Sequence, residues 1–213
     1  MTITKLGHSC LLVEEKGLKI LIDPGVYTEL QNRIKGIDII LITQEHPDHL
    51  STDSVQKILR NNPKAVICTN RGAGLILEKS KIPYQLLEHG GKLEQKGVTI
   101  EAIGRKHAVI YSAFPRVDNT GYLIANRFFH PGDALTVPKR KVEILALPVA
   151  GPWLKLSEAI DYAKKVKPKV CFPIHDGAFN PKLIGPYHSQ PPVVLKPLGI
   201  KFQVLDIGNP TKF

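Results

Sequence analysis

The order of apolar runs along the chain predicts an α/β fold in which two β-sheets pack together with helices on the outside. Two observations carry this. Short strand-like runs outnumber helical ones, and the helices fall among the later runs of each half. The composition agrees, since 213 residues with 43% apolar and 23% charged side chains suit a globular core and exclude a disordered or fibrous chain.

Thr2–Leu6, Cys10–Val13 and Leu18–Ile22, with a turn at Lys16-Gly17, read as a hairpin or meander. Ile37–Thr43 is almost continuously apolar, as a central strand covered on both faces requires. Ser51-Thr52-Asp53 starts a helix, Val55, Ile58 and Leu59 recur at helical spacing, and Asn61-Asn62-Pro63 ends it. Ala65–Cys68 is a strand and Gly74–Lys79 a short helix. Tyr84–Leu87, Val98–Ile103, Gly121–Ile124 and Arg127–Phe129 are strands between Gly, Asn and Pro turns. Glu143–Leu147 and Val170–Ile174 are strands around a helix over Ser157–Val166. Pro181–Pro197 reads as a Pro-rich loop and Lys201–Leu205 as a last strand. With no internal repeat and no linker long enough to divide it, the chain is expected to form a single domain over 1–213.

No apolar stretch reaches the roughly 18–20 residues needed to cross a bilayer, and MTITKLGHSC lacks the pattern of a signal peptide. A cytoplasmic location and no membrane partner are expected. Cys10, Cys68 and Cys171 are odd in number, far apart and set among apolar neighbours, which fits buried reduced thiols. The net charge of +10 favours anionic partners. The basic residues are scattered in pairs and triplets, such as Lys139-Arg140-Lys141, and this equally fits a generally basic surface.

Chemistry concentrates where strands end. Of eight histidines, His46 and His49 lie in Gln44-Glu45-His46-Pro47-Asp48-His49 after the fourth strand. His107 follows Val98–Ile103, His130-Pro131-Gly132-Asp133 follows Arg127–Phe129, and His175 closes Val170–Ile174. Imidazole and carboxylate are the ligand types of zinc and similar ions, and strand ends hold them rigidly. His46, Asp48 and His49 leave their loop in different directions, so they face two metal positions rather than one. A single strand-end histidine is usually a turn or surface residue; it is the set that points to metal.

These residues resemble the metallo-β-lactamase superfamily. His46-Pro47-Asp48-His49, His107, Gly132-Asp133 and His175 match its metal motifs in order, and Leu21-Ile22-Asp23-Pro24 matches its first motif. Gly7-His8-Ser9-Cys10, Leu147–Gly151 and Lys167–His175 are similar to the branch of L-ascorbate-6-phosphate lactonase and related metal-dependent hydrolases. The resemblance implies a four-layer αββα sandwich with the metals at one edge between the sheets. It implies His46 and His107 at a first metal, Asp48, His49 and His175 at a second, Asp133 bridging, and Asp23 orienting the metal loop.

One position departs from the family: Gln44 stands where a histidine opens the motif. An amide oxygen is a weaker zinc ligand than imidazole, so Gln44 is either an oxygen donor that tilts the site towards manganese or a hydrogen-bonding group beside it. The implied cofactor is zinc, one or two ions, with manganese as the alternative. His8 is a candidate for contacting substrate or supporting the ligands, or else a core histidine, and His130 is expected to be structural or supporting. His89 and His188 match no motif and are assigned to surface or loop. Tyr187 falls in the Pro-rich loop, and Trp153 is expected in the core or lining the pocket.

The function implied is a hydrolase in which a metal-bound hydroxide attacks a small anionic substrate, phosphorylated or lactone, with Asp48 ligating metal and moving a proton. A nuclease or phosphodiesterase acting on nucleic acid is the first alternative. A non-catalytic metal- or ligand-binding descendant, suggested by Gln44, is the second. Serine chemistry is excluded, because no Gly-x-Ser-x-Gly elbow is present.

Overall fold

In the computed structural model, which describes residues 1–180 and 182–213, fourteen strands form two seven-stranded sheets. The first holds β1 (Thr2–Gly7), β2 (Cys10–Glu15), β3 (Leu18–Ile22), β4 (Ile39–Ile42), β5 (Val66–Thr69) and β6 (Gln85–Leu86) in order. The second begins with β7 (Lys92–Gln95), β8 (Val98–Ile103), β9 (Gly121–Ile124) and β10 (Phe128–His130). It continues through β11 (Ile144–Pro148), β12 (Val170–Ile174) and β13 (Lys201–Phe202). β14 (Pro210–Lys212) returns to pair antiparallel with β1. Each sheet is antiparallel at its start and parallel after it, from β3 through β6 and from β10 through β13. The parallel pairs need crossovers, which α1 (Thr52–Asn61) and α3 (Leu156–Val166) provide.

Alternation along the strands explains the four layers. Ile20, Ile22, Ile39 and Leu41 face the second sheet and meet Tyr122, Phe128, Ala146 and Phe172 in one core. Leu21, Ile40 and Ile42 point the other way, onto Val55 and Ile58 of α1 and Leu77 of α2 (Arg71–Lys79). In the second sheet Leu145 and Leu147 face outward onto Ala159, Tyr162 and Ala163 of α3. β4 and β11 are therefore apolar at every position because both of their faces are covered. The three cysteines are buried and unpaired. Burial pushes the Cys68 and Cys171 thiols up to about 11 and about 12, which makes them inert. No helix among the described residues is long and apolar enough to cross a membrane.

Three differences from the sequence expectation have physical causes. α2 begins at Arg71 rather than Gly74, because the Asn70 side chain caps it by accepting from the Ala73 N–H at 3.1 Å. β7 and β14 have polar, mostly exposed sequences suited to sheet edges and carry no apolar run to reveal them. The Pro-rich stretch is not a loop: α4 spans Gly185–Leu195, although Pro181 itself lies outside the described residues. Pro186 sits in the first helical turn, where its missing N–H is not needed. Pro191 and Pro192 each remove an interior hydrogen bond, a loss that packing overrides: Leu195 is buried against the α3 layer and Pro191 is buried as well.

Asn70 also donates to Thr43 O at 2.7 Å and to Thr120 Oγ1 at 3.3 Å, linking the two sheets behind the strand-end loops. Asn70→Ala is expected to cost about 1–3 kcal/mol, from a lost cap and a lost buried link, read as a lower urea midpoint with unchanged slope.

Candidate metal centre

The seven histidines and aspartates that cluster here all lie in loops that follow strand ends on one edge of the sandwich. His8 follows β1, while His46, Asp48 and His49 follow β4. His107 lies beyond β8, Asp133 beyond β10 and His175 beyond β12. They form two groups, His46–His107–Asp133 and His8–Asp48–His49–His175, each with ligand atoms within 4.8 Å of one another. All are buried except His46 and Asp48, which are half-buried.

Asp133 joins the groups. Its Oδ1 lies 3.2 Å from His49 Nε2, and its Oδ2 lies 3.3 Å from His107 Nε2 and 2.9 Å from His175 Nε2. Asp48 Oδ2 is 3.3 Å from His175 Nε2 and 3.5 Å from His49 Nε2. The hydrogen bonds around the cluster set the tautomers. His49 Nδ1–H donates to Asp23 Oδ2 at 2.7 Å, and His107 Nδ1–H donates to Ala108 O at 2.6 Å, so each ring in its neutral form presents a bare Nε2 inward. Asp23 is itself held by the N–H and Oγ1–H of Thr43, both at 2.7 Å.

His8 differs from its neighbours. Its Nδ1 accepts from the Gly177 N–H at 3.1 Å, so the neutral ring carries its proton on Nε2 and donates to Asp48 Oδ2 at 3.1 Å. Burial pulls His8 below the usual histidine range and keeps it neutral. Burial also pulls on His49 and His175, but Asp133 more than reverses it, with Asp23 helping at His49. His49 ends well above the ordinary value and His175 at about 9. The surrounding imidazoles hold the Asp48 and Asp133 carboxyls low despite their burial.

The donor set fits a cation. Among the described residues, His49 Nε2, Asp133 Oδ1 and both ring nitrogens of His175 are buried without a hydrogen-bond partner, although His49 Nε2 and Asp133 Oδ1 lie 3.2 Å apart and His175 Nε2 lies 2.9 Å from Asp133 Oδ2. Lone pairs converging in this way are stabilised by a divalent ion and by little else. Both amide atoms of Gln44, two residues before His46, are likewise buried and unpartnered.

The loops around the cluster are fixed by close backbone packing. A Cβ on Gly25 would strike the carbonyl of Asp48, and the Val26 N–H donates to Pro47 O at 3.0 Å. Gly25→Ala is expected to push the His46–His49 loop outward, lowering stability by about 1–3 kcal/mol and metal affinity with it, read by thermal melts with and without metal. His8, Asp23 and His175 all hold positive φ, at 51°, 49° and 60°.

A model of the beta-lactamase superfamily domain matches residues 2–175. The chain belongs to this superfamily. With relatives named metal-dependent hydrolases, the match makes it a metal-dependent hydrolase of metallo-β-lactamase fold. It is similar to Protein Rv0786c of Mycobacterium tuberculosis, 37% identical over 195 residues that cover 89% of this chain and 91% of that one. It is also similar to UPF0173 metal-dependent hydrolase MJ1163 of Methanocaldococcus jannaschii, 25% identical and covering 98% of both. Igni18, a metallo hydrolase of Ignicoccus hospitalis, shares the fold with a TM-score of 0.77 at 21% identity, over 100% of this chain and 98% of that one.

In this metallo-β-lactamase-fold hydrolase the predicted residues come together, and some assignments sharpen. His130 is tied on both sides: Nε2 lies 3.1 Å from Ser9 O, and Nδ1 accepts from the Gly132 N–H at 3.2 Å. Trp153 is both core and wall, its ring edge-on to His107 at 5.5 Å and to His175 at 5.7 Å. His89 stays at the surface, accepting from the Gly104 N–H. His188 is a correction, because α4 turns it inward, where Nε2 lies 3.0 Å from Asp176 Oδ2. Sequence reasoning missed Lys5, Asp176 and Tyr27. Tyr27 stacks on His8 at 4.5 Å. Lys5 Nζ lies 2.7 Å from both oxygens of Asp176. The available signal was a lone lysine inside an apolar strand, which has to find a partner when buried.

Proposed function

We propose that the chain hydrolyses a small substrate at a carbonyl or phosphoryl centre, with one metal held by His46, His107 and Asp133 and a second by Asp48, His49, His175 and the shared Asp133. The supporting observation is Asp133, whose two oxygens reach ring nitrogens of both groups, His107 in the first and His49 and His175 in the second. Imidazole and carboxylate donors suit zinc, and the buried, unpartnered Gln44 amide two residues before His46 would favour manganese if its oxygen turned to the ion. A bound divalent ion would lower the pKa of water to about 7 and polarise the substrate oxygen.

The residues of the chain do the rest. Asp48 lies on the accessible side of the cluster, the one half-buried carboxylate in it, and is the group to take and return a proton. His8 orients that carboxylate through Nε2–H, while Asp23 and the Ala108 carbonyl aim His49 and His107. Trp153 and the apolar walls behind His107 and His175 keep water from the rear of the site.

The test is to strip metal with a chelator, restore zinc or manganese separately, and assay lactones and phosphoesters. The expected result is no turnover without metal and recovery with one of the two. Turnover that ignores the chelator, or none with any metal over both substrate classes, would overturn the proposal. The second outcome together with stoichiometric metal binding would favour a non-catalytic binding protein.

A further inference from the structure

A cleft of about 440 Å³ opens beside the His8 face of the cluster, within the size range of small-molecule sites. His8 forms part of its wall while donating to Asp48, so a single side chain stands between the cleft and the cluster. The rest of the lining is mainly apolar, with Tyr27, Leu30, Phe179, Ile184, Val204 and Ile207 around it. Tyr27, Leu30, Val204 and Ile207 are all exposed, Ile207 at 60%. Exposed apolar residues scattered singly mean little; gathered around one cleft they mark a binding surface.

The charged groups in the cleft are already committed. Lys5 Nζ, which has three protons, donates to Pro173 O at 2.8 Å and to both oxygens of Asp176 at 2.7 Å. His188 pairs with the same carboxylate. His8 is neutral, with both nitrogens engaged. Among the described residues the cleft therefore offers no free cation to a phosphate or to a nucleic-acid backbone. It offers apolar surface one side chain, His8, away from Asp48.

We propose that this cleft seats an apolar arm, aliphatic or aromatic, of a substrate whose ester or lactone carbonyl lies at the metal cluster. The assignment rests on the hydrolase proposal above and narrows it to acyl substrates. Specificity then comes from the length of the arm, with Ile207 and Val204 at the rim and Tyr27 guiding the arm past His8. Of the two small substrates the resemblance implies, phosphorylated or lactone, these walls favour the lactone.

The test measures binding of acetate, butanoate, hexanoate and octanoate, the carboxylate products of such a reaction, to zinc-loaded protein by calorimetry. Affinity is expected to rise about threefold per added methylene from butanoate to octanoate. In Ile207→Asp and Val204→Asp the gain per methylene is expected to fall below about 1.5-fold. Leu75→Asp, an exposed position on α2 outside the cleft, should keep the parental slope. Binding that ignores chain length in the parent, or a slope that survives both rim substitutions, overturns the proposal. So does a parental dimer that Ile207→Asp converts to monomer with no chain-length effect, which would assign the cleft to a second copy of the chain. Turnover of the matching p-nitrophenyl esters is scored separately: length-dependent binding without turnover keeps the cleft and sinks the hydrolase proposal at carbonyl centres.

Discussion

Asp133→Ala is expected to empty both halves of the cluster in one step, taking the metal content of protein purified without chelator from about two ions per chain to well below one. The carboxylate is the one group that approaches ligand atoms of both sets, His107 on one side and His49 and His175 on the other. Its removal takes away the carboxylate that links His107 to His49 and His175, and the Asp48 carboxylate that remains reaches only His49 and His175. Asp23→Asn makes the contrast. It keeps every proposed ligand but weakens the hold on His49 Nδ1, and metal affinity should fall by about 10–100-fold with stoichiometry intact at saturating metal. Full metal content in Asp133→Ala, measured by mass spectrometry, would show that metal is held without the shared carboxylate and overturn its bridging role.

Lys5→Met is expected to cost about 3–5 kcal/mol of stability, because it strands the Asp176 carboxylate in a buried site. Burial pushes Asp176 up, while the bond from His188 and the charge of Lys5 bring it below the ordinary aspartate range. Its ionised form therefore stabilises the fold at neutral pH, and that contribution disappears as pH falls from about 4 through the lower folded value. The penalty of Lys5→Met should shrink over the same interval. Lys5→Met combined with Asp176→Leu should recover most of the loss, since an apolar pair of similar volume replaces a buried ion pair at little cost. Urea unfolding of the two single variants and the double variant checks this. A single-variant cost under about 1 kcal/mol would mean that water reaches the pair.

Sheet strands and metal-facing residues were legible in the sequence for one shared reason. β4 had to be apolar on both faces, so its end was visible, and residues just beyond a buried strand end, on the loop-bearing edge, are placed to serve a site. His46, Asp48, His49, His107, Asp133 and His175 were all found through strand ends and motif spacing. The two-sided role of Asp133 needed coordinates, because which imidazoles its two oxygens reach depends on how β10 sits between β9 and β11. α4 was invisible because three prolines argue locally against a helix that only packing on α3 sustains. The Lys5–Asp176–His188 chain joins residues up to 183 positions apart in sequence (188 − 5), and no local pattern announces such a contact. Net charge is not a local quantity: a total of +10 says nothing about the cleft, where the lysine and histidines among the described residues are already paired.

The left-handed backbone at His8, Asp23 and His175 sets stability against use. Each is a non-glycine side chain held where glycine or asparagine rests more easily, at a cost of about 1–2 kcal/mol apiece. A population of this chain selected only for surviving heat would thus gain by exchanging these three residues, and it would lose turnover before it lost its fold. Selection that also demands turnover would keep all three and recover the deficit elsewhere, on the outer helices and the exposed edges β7 and β14, where a substitution disturbs no ligand. Heat-resistant variants obtained under the two regimes should separate cleanly at these positions.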